Sequence, residues 1–219
     1  MHSLAFYIMK KIFLLIFVFS CLAIGGCKIY ILTAEWEKVE NYKMSPDKKP
    51  SEILNEYLGD KGFAVDPEKK YCIDIFDPYC GVRYAKVPYQ NRLYRETKDE
   101  YEWVAVTNYS PKQVAHGLDV QVETKCTKKS GIDPEKYRKK VTPEYPVYDS
   151  IVGLRSSLRN LYYTNNPPRD YSSMLVIIVN DSIIRITTFE EPIVNEERYI
   201  AFKNYLDSVA TSQTTLKQP

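Results

Sequence analysis

Histidine is almost missing from this chain. Of its 219 residues two are histidine, His2 and His116, and only eight are glycine. With a single histidine after His2, a structural zinc site of the cysteine–histidine kind lacks ligands. Any Ser-His-Asp or Cys-His relay has to run through His116. No nucleophile elbow surrounds it: "VAHGLD" reads as a turn into the next segment, so His116 is expected to be an ordinary loop histidine. An excess of either charge is also missing. Thirty basic residues face 28 acidic ones, and Lys10 and Lys11 fall in residues 1–26, which hold no acid. The remainder is therefore balanced, which argues against a nucleic-acid binder, since those carry a marked basic excess. There is no internal repeat of about 20–50 residues. Low glycine with nineteen tyrosines points to a compact domain and away from a disordered or repetitive chain.

What is present begins with "MKKIFLLIFVFSCLAIGGC", Met9 to Cys27. Lys10 and Lys11 form a cationic start, and Ile12 to Ile24 is an uncharged apolar run of 13 residues, suited to an export signal and short for a bilayer span. Gly25 and Gly26 then precede Cys27. The sequence "IGGC" resembles the lipobox of bacterial lipoproteins, over about the first 28 residues. The resemblance implies diacylglyceryl transfer to Cys27, cleavage before it and acylation of its new amino group. Three readings compete with it. Ile12 to Ala34 can be taken as one uncleaved membrane helix, the segment can be a plain export signal, and "VFSC" ending at Cys21 is a second lipobox-like frame with bulky Phe19. Met9 gives a more compact signal than Met1.

The domain organisation that follows is a signal at 1–26, a lipid-anchored tether with a short helix at 27–50, one α+β domain at 51–212 and a disordered tail at 213–219. The tether helix carries Trp36, Val39 and Tyr42 at helical spacing. Ser51 is placed to N-cap "EILNEYL", which Gly59 stops. "KYCIDIF", "GVRYAKVPY", "YEWVAVTNY" and "LDVQVETKC" are rich in β-branched and aromatic residues and read as four strands of an antiparallel meander with one wet face. Leu118, Val120 and Val122 alternate with Asp119, Gln121 and Glu123. Ser130 to Tyr145 is a polar excursion with "KYRKK" at its centre. Ile151, Leu154, Leu158 and Leu161 mark a helix capped by Asp149 or Ser150. "MLVIIVNDSIIRITTF" is a hairpin around Asn180-Asp181-Ser182. Asn195 caps a last helix that buries Tyr199, Phe202, Leu206 and Val209. The expected fold is α+β, an antiparallel sheet (meander plus a C-terminal hairpin) packed by two or three helices.

Candidate sites are few. Cys72, Cys80 and Cys126 leave one disulfide and one spare thiol in an oxidising compartment. A Cys72–Cys80 bridge contributes about 2.5 kcal/mol on the loop-entropy model. If "FDPY" is a tight hairpin turn, however, Cys72 lies too far along the ladder and Cys126 becomes the better partner. Asp74 with Asp77, and Glu190, Glu191, Glu196 and Glu197, lack calcium-loop spacing, so no metal and no cofactor is expected. "KYRKK", Lys136 to Lys140, is read as a solvated loop before a contact to anionic lipid or phosphorylated polymer. Tyr71, Tyr79, Tyr84, Tyr89 and Tyr101 fall in the strand region and make a candidate interaction face. No residue is singled out as catalytic. The functional expectation is a membrane-anchored extracytoplasmic lipoprotein, facing the periplasm or the cell surface. It binds another macromolecule of the cell envelope, a protein partner, in an accessory or immunity-type role without catalysis. The alternative is a lipid-anchored hydrolase acting on wall or glycan through paired carboxylates.

Overall fold

The computed structural model describes residues 48–162, 173–187 and 193–214. The signal, Cys27, the helix around Trp36, the pair Glu190 and Glu191, and the tail beyond 214 lie outside the described residues.

Strand β1, Lys70–Ile75, is buried from Tyr71 onward, as a strand covered on both faces must be. Strand β2, Tyr101–Val106, lies parallel to it, with Cys72 beside Trp103 and Ile75 beside Val106. On the other side β4, Met174–Val179, runs antiparallel, and β5, Ser182–Thr187, continues the hairpin. The two-residue strand β3, Val147–Tyr148, pairs in parallel with β2. The strand order is β3-β2-β1-β4-β5. This is a mixed sheet and not the antiparallel meander expected.

The correction comes from two segments that are helices. Parallel neighbours need a crossover, and α2, Gly81–Thr97, supplies it where a strand over "GVRYAKVPY" was expected. Its inward face carries Arg83, Lys86, Gln90 and Thr97 among Tyr84, Val87 and Leu93, so its helical period is hidden by polar residues. "LDVQVETKC" lies in α3, Pro111–Lys125, whose start is marked by Ser110 and Pro111. The Ser110 backbone N–H donates to Gln113 Oε1 at 2.9 Å. That reciprocal cap with proline in the first turn outweighs the apparent two-residue alternation. "KYRKK" is also helical, in α4, Pro134–Lys140, capped by Asp133. With α1, Pro50–Leu58, α5, Leu154–Tyr162, and α6, Glu196–Thr214, the described residues hold six α-helices instead of two or three.

Ser51 sits inside α1, and its N–H and hydroxyl bond the Asp181 carboxylate at 2.7 and 2.8 Å. Asp181 belongs to the β4–β5 turn, where Asn180 and Asp181 both have positive φ, 49° and 55°, the geometry a tight two-residue hairpin prefers. The sheet separates two cores. Tyr71, Ile73, Ile75, Val104, Val176 and Ile178 face α1 and α5. Cys72, Phe76, Trp103, Leu175 and Ile177 face Leu93 of α2 and Tyr199, Phe202 and Leu206 of α6. Among the described residues no helix is long and apolar enough to cross a membrane.

The tyrosine face is not assembled. Tyr71, Tyr84 and Tyr101 are at most 2% exposed and Tyr89 is half-buried, whereas Tyr79 alone of the five is 43% exposed. A doubly covered sheet takes both side-chain parities inside, which is why strand tyrosines here are core. Burial pushes the Tyr84, Tyr101 and Tyr145 phenols above their ordinary value. The unfolded chain releases these protons near pH ~10 while the fold retains them, so their stabilisation is complete below that pH and declines as pH rises toward the folded values. Buried Lys86, held low, acts in the opposite sense, one amine against three phenols. The free energy of unfolding in urea is expected to fall as pH is raised through this range, with these phenolates appearing only on unfolding. Full phenol titration of the intact fold contradicts the burial.

Candidate functional site

In open sheets with helices on both faces, ligands gather beyond the carboxyl ends of the parallel strands. Here the chain leaves β1 at Phe76, turns through Asp77-Pro78-Tyr79, and enters α2 at Cys80. Asp77 organises the turn: its carboxylate accepts from the Tyr79 N–H at 2.8 Å, and its carbonyl accepts from the Cys80 N–H at 3.1 Å. Burial raises the Asp77 carboxyl, against the Tyr79 N–H and the charges of Arg155 and Arg83, which lower it. Cys80 is the N-cap of α2, with φ −80° and ψ 110°, and its carbonyl accepts from the Arg83 N–H at 3.1 Å. Its side chain makes no capping hydrogen bond. The thiol is half-buried and free, at the helix end that attracts negative charge.

This corrects the hairpin reading of "FDPY", because the turn joins a strand to a helix. Cys72, Cys80 and Cys126 are all free thiols. Cys72 is fully buried in the second core, and burial pushes its thiol well up. Cys126 closes α3 as its C-cap.

The turn is clamped by α3. A Cβ on Gly117 would lie 2.4 Å from the Pro78 carbonyl oxygen, so only glycine allows this approach. Tyr84 donates to the same oxygen at 2.6 Å. His116 is in the middle of α3, not in a loop, and its ring meets Tyr79 edge-on at 6.1 Å; Tyr79 also meets Tyr109 at 5.6 Å. These three rings form a small aromatic ledge beside Cys80.

Beneath Cys80 lies a buried polar layer. Asp74 of β1 has no solvent exposure and accepts from Gln90 Nε2 at 3.0 Å and from the Tyr145 hydroxyl at 3.3 Å. Burial, then Asp74 itself, pushes the Tyr145 phenol up, so it stays a donor. Lys86 is 5% exposed and donates to Ser173 Oγ at 2.8 Å. Burial lowers its ammonium, against the charges of Asp74 and Cys80, which favour it. Arg83 lays its guanidinium 3.3 Å above the Phe76 ring centroid, and among the described residues its Nε and Gln90 Oε1 have no hydrogen-bond partner. Sequence reasoning named Cys80 and Asp74 in other roles and missed Arg83, Lys86 and Gln90. The available signal was their i, i+3, i+7 spacing after Cys80, a stripe on one helix face.

Among the described residues no group of three or more His, Cys, Asp or Glu side chains could hold a metal ion. Two strands in parallel joined by α2, an antiparallel hairpin on the far side of β1 and a helix after it make this a thioredoxin-like sheet. No family model and no curated protein matches the chain. It is similar to the solution structure of a candidate protein disulfide isomerase from Bacteroides thetaiotaomicron, at 13% identity over 64% of this chain and 72% of that one, with a TM-score of 0.38. It is also similar to a candidate thiol:disulfide interchange protein DsbE from Chlorobium tepidum, at 16% identity over 71% and 83%, with a TM-score of 0.37. Likenesses this loose carry no weight for function.

Gly117→Ala is expected to destabilise the protein by about 1–3 kcal/mol, through overpacking against the Pro78 carbonyl. It should also change the alkylation rate of Cys80 far more than that of Cys126. Unchanged stability and unchanged Cys80 labelling contradict the clamp.

Proposed function

We propose that the protein is a thiol-exchange domain with Cys80 as its reacting sulfur, displayed at an extracytoplasmic membrane face by lipid on Cys27. The observation that supports the thiol reading is the position of Cys80. A free, half-buried sulfur caps the helix that follows the central strand, over a buried layer containing Lys86. The lipid anchor rests on the "IGGC" context after its apolar run.

The chemistry is exchange without net oxidation. Ionised Cys80 Sγ attacks one sulfur of a partner disulfide; the S–S bond of the partner breaks as the mixed disulfide forms, and the released sulfur takes up a proton. Lys86 attracts Cys80 when the sulfur carries charge. Reversal needs a second thiol. In C-x-x-C helices that thiol lies three residues on, but here the position is Arg83. The helix therefore lacks the neighbouring thiol that would expel the partner, and the mixed disulfide is resolved by the partner's own thiol or a small thiol. This favours capture or isomerisation over dithiol oxidation.

A second reading keeps the aromatic ledge and drops the covalent step: Tyr79, Tyr109 and His116 dock a partner protein non-covalently. The hydrolase alternative finds little footing, since Asp74 is engaged by Gln90 and Tyr145 and Asp77 by its own turn.

The full chain, expressed in a bacterial host and alkylated on lysis, is expected to show mixed-disulfide adducts on non-reducing gels. Cys80→Ser should remove them at equal protein level, and Cys126→Ser should not. Adducts unchanged in Cys80→Ser overturn the thiol reading, and none in wild type shifts support to non-covalent docking. Cys27→Ala should lose fatty-acid labelling; retained labelling overturns the anchor.

A further inference from the structure

The run "KYRKK" takes on a definite shape in the fold. Lys136, Lys139 and Lys140 project from one side of α4 into a cavity of about 340 Å³, across from Pro88, Asn91 and Arg95 of α2, with Glu144 at its edge. Two latches fix the geometry. Asn91 Nδ2 donates to the Thr142 carbonyl at 2.9 Å and its Oδ1 accepts from the Glu144 N–H at 3.0 Å, tying the segment after α4 to α2. Arg138, the remaining cation of the run, turns away to Asp119 at 2.6 Å and ties α4 to α3. The three lysines are thus held on the cavity side without Arg138 among them.

The charge there is uncompensated. Glu144 is the cavity's one carboxylate, and both its oxygens accept from Arg95 Nη1, at 2.7 and 2.8 Å. Among the described residues no ion pair is formed by Lys136, Lys139 or Lys140. Four cations against one carboxylate leave an excess of three positive charges in a chain that is otherwise nearly neutral. Exposed lysines this close repel one another, and a multiply charged anion relieves that repulsion. Lysine ammoniums act as point charges suited to phosphate, and the guanidinium can exchange Glu144 for a second set of oxygens. The volume lies near the lower end of ligand pockets, about 300–1,000 Å³, which suits a single headgroup-sized ligand.

We propose that this cavity between α2 and α4 binds a phosphate-bearing group, a phosphomonoester or diphosphate, through Lys136, Lys139, Lys140 and Arg95. A membrane headgroup and a soluble or polymer-borne phosphate present the same chemistry, and the test separates them. The site is independent of Cys80 and of the exchange reaction.

The full chain in phosphatidylcholine nanodiscs is titrated with inorganic pyrophosphate by calorimetry, and its amines are footprinted by acetylation with mass spectrometry. A second arm uses nanodiscs doped with phosphatidic acid and no pyrophosphate. Saturable binding is expected, with protection of Lys136, Lys139 and Lys140 but not of Lys128 and Lys129. Protection by pyrophosphate supports a soluble source, and protection by phosphatidic acid alone supports a headgroup. The triple variant Lys136→Gln, Lys139→Gln, Lys140→Gln should weaken pyrophosphate binding at least about tenfold at an unchanged thermal midpoint, and Glu144→Gln should tighten it. If Lys128→Gln with Lys129→Gln weakens binding as much as the triple variant, the attraction is general and the site is wrong. Absence of binding and of protection by either probe also overturns it.

Discussion

The buried carboxylate of Asp74 is the constraint around which this fold is arranged. It lies one residue from the end of the central strand with no access to water, where a buried polar group left without hydrogen-bond partners would cost on the order of 1–3 kcal/mol. The structure meets that demand from the next helix and from a distant segment: Gln90 of α2 and Tyr145 ahead of β3. Lys86 projects inward from the same helix and donates to Ser173 Oγ. The polar residues on the inward face of α2 each find a different partner, Gln90 in Asp74, Lys86 in Ser173, Thr97 in Trp103 and Arg83 in the Phe76 ring, and the helix's position over β1 sets where Cys80 stands.

Strand parity then divides the thiols. Cys72 and Asp74 are two residues apart on the face covered by α2, so both are sealed; Cys72 is inert by burial, and Asp74 is satisfied by bonding. Cys80 escapes the same layer only because the chain turns out through Asp77-Pro78-Tyr79 before α2 begins. Gly117 of α3 holds that turn by backbone approach, with no side chain between. The site is thus made by contact between two helices that carry no apolar stripe of ordinary form.

Legibility in the sequence followed the chemistry of each buried face. The hairpin over 174–187 and the cap at Asn195 could be read directly, since their burial is apolar and their turn residues are specific. The β1 and β2 strands were also legible. The helix α2 was not: with Arg83, Lys86, Gln90 and Thr97 on its inner face, its aromatic and β-branched residues imitate a strand. In α3 the Leu118–Val120–Val122 alternation overrode the Ser110-Pro111 start signal, and reading both α2 and α3 as strands turned a parallel arrangement into a meander. Cys80 was noticed, but as half of a disulfide, because its neighbourhood depends on α2 being a helix. The convergence of Asp74, Tyr145 and Ser173 spans about a hundred residues and has no local signature.

The central claim is that one thiol is presented at the end of β1 while its strand neighbour is withheld. The direct measurement is residue-resolved alkylation of the native full chain, followed by mass spectrometry with and without denaturant. The account predicts that Cys80 is modified in the folded protein and that Cys72 reacts only after unfolding. Equal labelling of Cys72 and Cys80 in the native state, or a Cys72–Cys80 disulfide that leaves neither to react, contradicts it.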